Sequence, residues 1–535
     1  MINRVILAIT LAISTKSFAD NRLLVFGGNC EANSTNNQFT PYIERLTTSL
    51  TSRGWTTQSL LFNNGEAIPR LPQTQPASRQ NLLNELDRLI ADPTANENTQ
   101  LLISINDHGL NANGHLEFCL QDNTMMRSDD PQFQQRLAAL RRKQIRVGFS
   151  LATCYSGAAI NDLSTHGCVL SSGSSYEPVW GGHFENLLAN FASIPPDQQH
   201  RVDLNGDCRL TLDEAYLFNL INREVFNIPQ ISGVPQTIEQ DYNALLNFPR
   251  TIADQASSSQ NCSMPHLESF ERLIEAMTSS ENIARRAELE HLMRNFIESN
   301  PNLSPSFNIS QNARLPNREE FNLTRNQLNQ QAHQYAVLLL RERQLTNELD
   351  QIHTTVRVTL RPPRRPYDAL ILRAMNNRLN QPLSKVLPGV RSNSNLREYL
   401  AFDYLLEALN LNNENTPEGQ DFHRNQIAIA REIQARLQVN EREILRQFNN
   451  STRRRIESTR RAILNARRER MNTWNRYSDY INFLGRMAVN LKFAQLATDS
   501  RSRASNDCNH FTLLTIPASQ CHAANSARMP TANPQ

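Results

Sequence analysis

Two short polar segments place residues capable of nucleophilic chemistry directly after apolar runs. Residues 101–105 are followed by Asn-Asp-His-Gly, and residues 146–151 are followed by Ala-Thr-Cys-Tyr-Ser-Gly. A cysteine thiolate is a nucleophile, and a nearby imidazole can act as its base or stabilise the ion as a cation. If both runs are strands of a parallel sheet, their carboxyl ends share one edge. His108 and Cys154 are then expected to meet there, although they are far apart in sequence.

The residue after the histidine has a role in the same chemistry. Gly109 lacks a Cβ, so a substrate carbonyl can approach its N–H, which with the N–H of Cys154 would form an oxyanion hole. A second interpretation stays open on spacing alone. Cys154 would then be a buried core thiol and His108 a strand-end histidine satisfied by backbone, which is the commoner fate of both residue types.

The elements that must position these residues follow an α/β pattern. Between residues 21 and 248, short apolar runs alternate with helical patterns, which predicts a mostly parallel sheet with helices on both faces and ligands at the strands' carboxyl ends. After residue 262 apolar residues recur at spacings near three and four, which predicts a mainly α-helical region. We therefore expect a first domain at 20–250, a helical domain at 263–500 and a tail at 501–535.

The paired motifs, in this order, resemble those of a known peptidase clan. A strand ending in Asp-His-Gly and a second ending in Ala-Thr-Cys-Tyr-Ser-Gly look like caspases, legumains, gingipains and separases, and are nearest to legumain-type and bacterial caspase-like members. The resemblance covers residues 21–248. It implies a caspase-like fold and cysteine endopeptidase activity, with His108 and Cys154 as the catalytic pair, Gly109 in the oxyanion hole, and no cofactor needed for the chemistry.

A third segment bears on substrate binding. Ser174-Ser175-Tyr176 is similar to the Ser-Ser-Tyr of legumains, whose serines line the pocket for the residue before the cut bond. Ala152 stands where legumains carry a glutamate, and no Arg-His pair follows the first strand, so asparagine specificity is not implied. Substrate-binding residues are therefore expected at Ser174, Ser175 and Ala152. A plain polar loop after a strand is the alternative interpretation of the two serines.

The segment 203–214 has the register of a calcium loop. A calcium loop requires side-chain oxygen ligands at positions 1, 3, 5 and 12 and a backbone carbonyl at position 7. The four side-chain positions hold Asp203, Asn205, Asp207 and Glu214, and position 7 is Arg209. Position 6, normally a left-handed glycine, is Cys208, where that backbone costs on the order of 1 kcal/mol. Bacterial caspase-like proteins often carry such a loop, so Ca²⁺ is the expected cofactor. The alternative is an acidic helix start that favours the helix dipole.

The first 19 residues have the features of a cleavable export signal. Arg4 precedes an apolar run at 5–13, and Ser17-Phe18-Ala19 has small residues at the positions that a signal peptidase recognises. That run is too short to cross a hydrocarbon core of ~30 Å. The sequence thus predicts a periplasmic or secreted protein with no transmembrane segment after signal removal. Its eight cysteines can form disulfides in such a compartment, and we expect a local bridge between Cys508 and Cys521.

Charge limits the range of partners. The net charge of +3 predicts no global attraction to nucleic acid or to an anionic membrane. An arginine-rich stretch at 453–476 includes Glu457 and Glu469, which favours a solvated helix face over a nucleic-acid site. A protein or peptide substrate is the expected partner. Legumains carry a helical segment over the active site, so the resemblance implies a similar intramolecular cap, although no motif in this half matches theirs.

Two functions of different classes follow from these patterns. The first is an exported cysteine endopeptidase with an appended helical region and a Ca²⁺ loop. The second is a catalytically idle caspase-fold scaffold or adhesin that binds a partner through its helical half. They differ in whether Cys154 is a nucleophile, because only the peptidase requires a reactive thiolate at that position.

Overall fold

The structure is a computed structural model, and it describes most of the chain outside a central gap. The described residues are 20–27, 39–121, 124–176, 188–222, 228–255, 264–278, 280–301, 303, 308–359, 450–498, 507–517 and 519–521. The predicted signal peptide at 1–19 lies outside these ranges.

The chain forms strands first and long helices later. The strands are β1 (Asp20–Gly27), β2 (Thr56–Phe62), β3 (Thr99–Asn106), β4 (Gly109–Ala112), β5 (His115–Cys119), β6 (Met125–Arg127), β7 (Arg146–Ala152), β8 (Gly167–Ser171), β9 (Arg209–Thr211), β10 (Gln230–Ile231) and β11 (Thr512–Thr515). The helices are α1 (Thr40–Thr51), α2 (Arg79–Ala91), α3 (Pro131–Arg142), α4 (Ile160–Leu163), α5 (Ala189–Ala192), α6 (Leu212–Asn222), α7 (Thr237–Gln255), α8 (Glu268–Met277), α9 (Ser280–Glu298), α10 (Ile309–Asn312), α11 (Arg318–Thr359) and α12 (Asn450–Thr498). Short 3₁₀ turns cover Ser156–Ala159, Pro196–Arg201 and Asp507–His510.

A six-stranded sheet in the order β10-β8-β7-β3-β1-β2 forms the centre of the fold. Its strands pair in parallel except β10, which is antiparallel to β8. The predicted α/β class with a mostly parallel sheet, followed by a mainly helical region, is therefore confirmed. The finer prediction of a caspase-like sheet stays a prediction.

Both faces of the sheet are covered. All eight residues of β3 are buried, as expected for a central parallel strand enclosed on two sides. Leu86 of α2 and Phe133 of α3 share one core cluster with Ile103 of β3. On the opposite face, a Cβ built on Gly27 would lie 2.7 Å from the side chain of Ile43 in α1. Helices on both faces, as predicted, thus hold the strands in place.

Helices α2 and α3 begin at side-chain caps. Ser78 Oγ accepts the N–H of Asn81 at 3.2 Å, and Asp130 Oδ1 accepts the N–H groups of Gln132 and Phe133 at 3.0 Å each. Such caps satisfy backbone donors that the first helical turn leaves without partners. Arg79 also pairs with Asp130 at 2.9 Å, which joins the starts of the two helices.

The C-terminal tail is part of the same fold. Strand β11 pairs antiparallel with β9, and two disulfides connect the tail to distant residues: Cys168–Cys508 and Cys208–Cys521. The predicted Cys508–Cys521 bridge is therefore wrong. Because the tail lies along β9, each of its cysteines is carried to a different partner. Cys119 is also disulfide-bonded.

The tail contacts the starts of the sheet strands. Gln100 in β3 exchanges two hydrogen bonds with the backbone of Thr512, at 3.2 and 3.1 Å, and the Trp55 indole donates to the carbonyl of Leu513 at 2.8 Å. Gly148 in β7 leaves space for the ring of Phe511, which would lie 2.8 Å from an added Cβ. The tail thus closes the amino-terminal edge of the sheet.

The chain divides into two compact units. The first comprises residues 1–248, 263–328 and 479–535, and the second comprises 249–262 and 329–478. The helical region expected at 263–500 is accordingly shared between them. In the first unit, Lys492 of α12 forms a buried ion pair with Glu239 of α7 at 2.5 Å.

The second unit contains the described part of the arginine-rich stretch. Arg467 and Arg470 of α12 contact Glu342 of α11 at 2.9 and 2.6 Å, and Arg470 also donates to the hydroxyl of Tyr335. Burial opposes ionisation of Glu342, but the hydrogen bonds from Arg470 and Arg467 lower its pKa overall. These two arginines therefore pack helix against helix, whereas Arg461, Arg468 and Arg476 are exposed, as predicted for a solvated face. Among the described residues, no helix has the length and apolar character needed to cross a membrane.

The disulfide pairing gives a first prediction. Peptide mapping without reduction should recover Cys168 linked to Cys508, and Cys208 linked to Cys521. Replacing Cys168 and Cys508 together by alanine should lower the unfolding free energy by roughly 2–5 kcal/mol, because the unfolded chain loses a long-range constraint. Denaturant unfolding without reductant measures this loss. A Cys154→Ala variant, which breaks no bridge, is the control, and recovery of a Cys508–Cys521 peptide would contradict the pairing.

Candidate active site

The two chemistry-bearing segments begin at paired strand ends. Asn106, the last residue of β3, lies opposite Ala152, the last residue of β7. The N–H of Asp107 donates to the carbonyl of Ala152 at 3.2 Å, so the pairing continues one step beyond the strands. His108 and Cys154 each lie two residues past these ends. Since neighbouring strands run about 4.8 Å apart, the two segments lie side by side at the carboxyl edge of the sheet, as predicted.

Cys154 is half-buried at a sharp turn. It is the one cysteine within the described ranges that forms no disulfide. Tyr155, which follows it, has a left-handed backbone (φ 54°, ψ 22°) and leads into the 3₁₀ turn at Ser156–Ala159. A left-handed non-glycine residue is uncommon and costs of order 1–3 kcal/mol. The turn ends the strand abruptly, and the half-buried state of Cys154 as a residue gives the alternative of a buried core thiol no support.

His108 is exposed and held by its own backbone. Its carbonyl accepts the N–H of Cys119 at 3.3 Å, and its N–H donates to Asp107 Oδ1 at 2.6 Å. The imidazole packs edge-on against the ring of Phe39, with centroids 5.6 Å apart. These contacts fix the backbone of His108 just past the end of β3, and its imidazole stays exposed with Phe39 as its ring neighbour.

Gly109 explains the close approach of the two segments. A Cβ at this position would lie 2.5 Å from the carbonyl oxygen of Cys154 and 2.9 Å from Thr153 Oγ1. Real Cβ atoms do not come that near to backbone oxygen, so any other residue would push the His108 segment away from the Cys154 turn. This packing against Cys154 is a reason for glycine that the sequence analysis did not give, and the predicted role of the Gly109 N–H in an oxyanion hole is a separate matter. Its use by a substrate carbonyl stays a prediction.

A tight hairpin follows Gly109. Strand β4 pairs antiparallel with β5, and the two-residue connection Asn113-Gly114 has positive φ at both positions (56° and 90°). Asn-Gly favours this mirror-image turn because both residues tolerate the left-handed region. The hairpin anchors Gly109, since Gly109 pairs with Phe118 of β5.

The predicted substrate-binding serines lie next to the Cys154 turn. A Cβ built on Gly157 would lie 2.7 Å from the backbone of both Ser174 and Ser175. Ser174 is buried and accepts the N–H of Tyr176 on its hydroxyl at 3.2 Å, whereas Ser175 is half-buried. Ala152 is fully buried at the end of β7, where it pairs with Asn106. Substrate binding by these three residues stays a prediction.

Asp107 is a part of the site that spacing arguments missed. Its side chain is only 1% exposed, and Oδ2 has no hydrogen-bond partner among the described residues. Burial raises the pKa of this carboxyl well above its usual range, and the hydrogen bond from the N–H of His108 opposes that effect. The sequence signal was present, because Asp107 immediately precedes the histidine at the strand end. Asp107 thus holds the backbone N–H of His108 through Oδ1, and its burial disfavours the charged form of the carboxyl.

The predicted calcium loop has a regular internal hydrogen-bond pattern. Asp203 accepts the N–H of Gly206 on Oδ1 at 2.8 Å and the N–H of Cys208 on Oδ2 at 3.0 Å. Asn205 Oδ1 accepts the N–H of Asp207 at 3.0 Å. Cys208 has the left-handed backbone expected at position 6, with φ 65°. The loop thus turns its side-chain oxygens toward its own backbone.

Glu214 closes the loop from the first turn of α6. Its carboxylate accepts the N–H of Leu204 at 2.8 Å and that of Thr211 at 3.0 Å, and Thr211 Oγ1 accepts the N–H of Glu214 in return. This reciprocal pair is a capping box. Burial, together with the nearby charges of Asp203 and Asp207, raises the pKa of Glu214 to about 8. The capping box supports the helix-start alternative, and it leaves lone pairs on both oxygens.

The ligand chemistry of this loop fits a hard cation. Its predicted side-chain donors are carboxylate and amide oxygens, and Arg209 would add its backbone carbonyl, as Ca²⁺ prefers. In the part of the chain that the structure describes, no group of three or more His, Cys, Asp or Glu side chains is arranged to hold a metal ion. The residues of the loop therefore suit Ca²⁺ by their type and order, and calcium binding stays a proposal.

The Asp107 environment gives a second prediction. A raised carboxyl pKa means that the folded state holds the proton more tightly than the unfolded chain. The unfolding free energy of the wild type should therefore fall as pH rises above the ordinary carboxyl range near ~4. Asp107→Asn keeps an acceptor for the N–H of His108 and removes the titrating group, so its stability should depend less on pH. Thermal unfolding of both proteins between pH 4 and 8 measures the difference, and parallel curves would contradict it.

The chain was compared with protein-family models and with curated proteins, and neither comparison found a match. The resemblance to caspases and legumains therefore depends on the two motifs and their placement at neighbouring strand ends.

Proposed function

We propose that this chain is an exported cysteine endopeptidase of the caspase/legumain-like kind, with His108 and Cys154 as its catalytic pair. The observation that carries the proposal is the paired ends of β3 and β7, which place both segments at one sheet edge in backbone contact. A half-buried thiol and an exposed imidazole at that edge are accessible to a polypeptide. The two long-range disulfides are compatible with a periplasmic or secreted location.

The proposed reaction needs no group beyond the protein and water. The Cys154 thiolate attacks the carbonyl carbon of a peptide bond, and the N–H groups of Gly109 and Cys154 stabilise the negative charge on that oxygen. The C–N bond then breaks, and protonated His108 gives its proton to the leaving amine. Water deprotonated by His108 attacks the thioester, which releases the carboxylic acid and restores the thiol.

Catalysis by the pair gives a third prediction. Cys154→Ala should abolish peptide hydrolysis without a large change in melting temperature, because it removes the nucleophile and little volume. His108→Ala should lower kcat/KM about 10²- to 10⁴-fold. His510→Ala is the matched control, since His510 is exposed at the amino-terminal end of β7, where its carbonyl accepts a hydrogen bond from Arg146. Hydrolysis of a mixed peptide library is measured for each variant, and alkylation of Cys154 by iodoacetamide for the wild type and the two histidine variants.

The same experiment separates the peptidase from the scaffold alternative. Full hydrolysis by Cys154→Ala would rule out the proposed nucleophile. A wild type that hydrolyses no peptide, and whose Cys154 reacts with iodoacetamide at the same rate in the His108→Ala variant, would favour the catalytically idle scaffold or adhesin.

We further propose that the loop at 203–214 binds Ca²⁺ and stabilises the peptidase unit. Asp203, Asn205, Asp207 and Glu214 would hold the ion with their side chains, together with the carbonyl of Arg209. The loop includes strand β9, which pairs with the tail, and the first turn of α6, which packs in the core of the first unit. A bound cation would offset the repulsion of Glu214 by Asp203 and Asp207, which adds to burial in raising the pKa of Glu214.

Calcium binding gives a fourth prediction. Millimolar Ca²⁺ should raise the melting temperature of the wild type relative to chelator. At a hundredfold excess of Ca²⁺ over Kd, the unfolding free energy should rise by about 2.7 kcal/mol. Asp207→Ala should remove the shift, because it deletes an exposed proposed ligand, together with the hydrogen bonds that Asp207 accepts from Asn205 and Arg209 within the loop. Asp197→Ala, which changes an exposed aspartate just outside the loop, is the control. Equal melting curves with and without Ca²⁺ in the wild type would rule out the site.

A further inference from the structure

The loop that carries Ser174 and Ser175 is held in place by a side chain outside it. Gln236 Oε1 accepts both the N–H and the hydroxyl of Ser175, each at 3.2 Å. The same amide donates from Nε2 to the carbonyl of Gly157, also at 3.2 Å. One half-buried side chain, just before α7, therefore joins the serine loop to the turn that carries Cys154.

A second side chain holds the opposite side of the same residue. Asn111 Nδ2 donates to the carbonyl of Ser175 at 2.7 Å. Asn111 Oδ1 accepts the N–H of Gly114 at 2.8 Å, so the hairpin turn fixes the orientation of the amide. Asn111 lies in β4, two residues beyond Gly109, and thus joins the serine loop to the segment that carries His108.

Between them, the two amides engage the N–H, the hydroxyl and the carbonyl of Ser175. The Gly157 backbone packs directly against Ser174 and Ser175, so the loop has little freedom to shift relative to the Cys154 turn. The β4 hairpin, the Cys154 turn and the start of α7 are thus all connected through Ser175. The contacts of Gln236 and Asn111 are uncharged hydrogen bonds, which a substrate does not need to break.

We propose that Gln236 and Asn111 are positioning residues that hold the serine loop at a fixed distance from Cys154 and thereby set the affinity for a peptide substrate. The inference rests on the proposed peptidase function and deepens it. Neither amide takes part in the chemical step. Losing either contact would loosen the loop and weaken binding of the extended peptide, while the thiol and imidazole keep their places at the strand ends.

This role differs measurably from a purely structural one. A positioning residue affects KM for a peptide but leaves the rate of Cys154 alkylation by iodoacetamide unchanged, because that small probe needs no binding loop. A residue that only maintains the turn would alter kcat and the alkylation rate together. Gln236→Glu separates the two halves of the amide, since it retains the acceptor for Ser175 and loses the donor to Gly157.

The experiment uses the full chain and a peptide that the wild type hydrolyses. Gln236→Ala and Asn111→Ala should each raise KM about three- to tenfold, with kcat changed less than about twofold and the iodoacetamide rate unchanged. Gln236→Glu should recover part of the loss. The control is Asn247→Ala, which removes an exposed amide two to three turns further along α7 that bonds within its own helix.

Three results would overturn the inference. In the first, KM stays at the wild-type value in both alanine variants. In the second, kcat and the alkylation rate fall with KM, which would assign the amides to the catalytic turn. In the third, Asn247→Ala raises KM equally, which would indicate a general loss of fold. A wild type without peptidase activity would instead refute the proposed function, and the inference with it.

Discussion

The register between β3 and β7 is the constraint on which the candidate site depends. The two strands pair from Gln100 with Arg146 to Asn106 with Ala152 without a bulge, so both leave the sheet at the same level. A slip of one residue would move every side chain of a strand to the other face. Because β3 is buried along its full length, such a slip would put serine and asparagine where leucine and isoleucine now pack. The core therefore determines where the site residues meet.

The carboxyl edge concentrates features that are locally unfavourable. Tyr155 has a left-handed backbone, and Asp107 is a buried carboxyl with a raised pKa. Gly109 and Gly157 occupy positions where a Cβ would clash with neighbouring backbone. Each feature costs the fold a little stability, and the packed sheet beneath offsets it. Their presence together beside His108 and Cys154 is what a functional site is expected to produce, because local preferences are violated most often at such sites.

The sequence predicted what local patterns encode, which includes the strands, the helices that cover them, and the polar motifs at the strand ends. A parallel sheet needs continuous apolar runs, and its carboxyl edge follows from chain direction, so His108 and Cys154 could be placed together without a structure. Gln236 and Asn111 could not be found in that way. Each lies in an ordinary polar position, and its importance comes from a partner, Ser175, that only the folded chain brings near.

The disulfide pairing also could not be predicted from the sequence, because it depends on contacts that only the folded chain makes. Loop-closure entropy favours short bridges, so proximity in sequence made Cys508 and Cys521 the natural pair. In the folded chain, β11 runs along β9, and this pairing carries Cys521 to Cys208 and leaves Cys508 beside Cys168. Both bridges connect the tail to residues 168 and 208 within the same unit, across more than 300 residues of sequence. A cut within the intervening helical region would therefore leave the two parts covalently joined, with the tail still linked through both disulfides to the elements that it packs against.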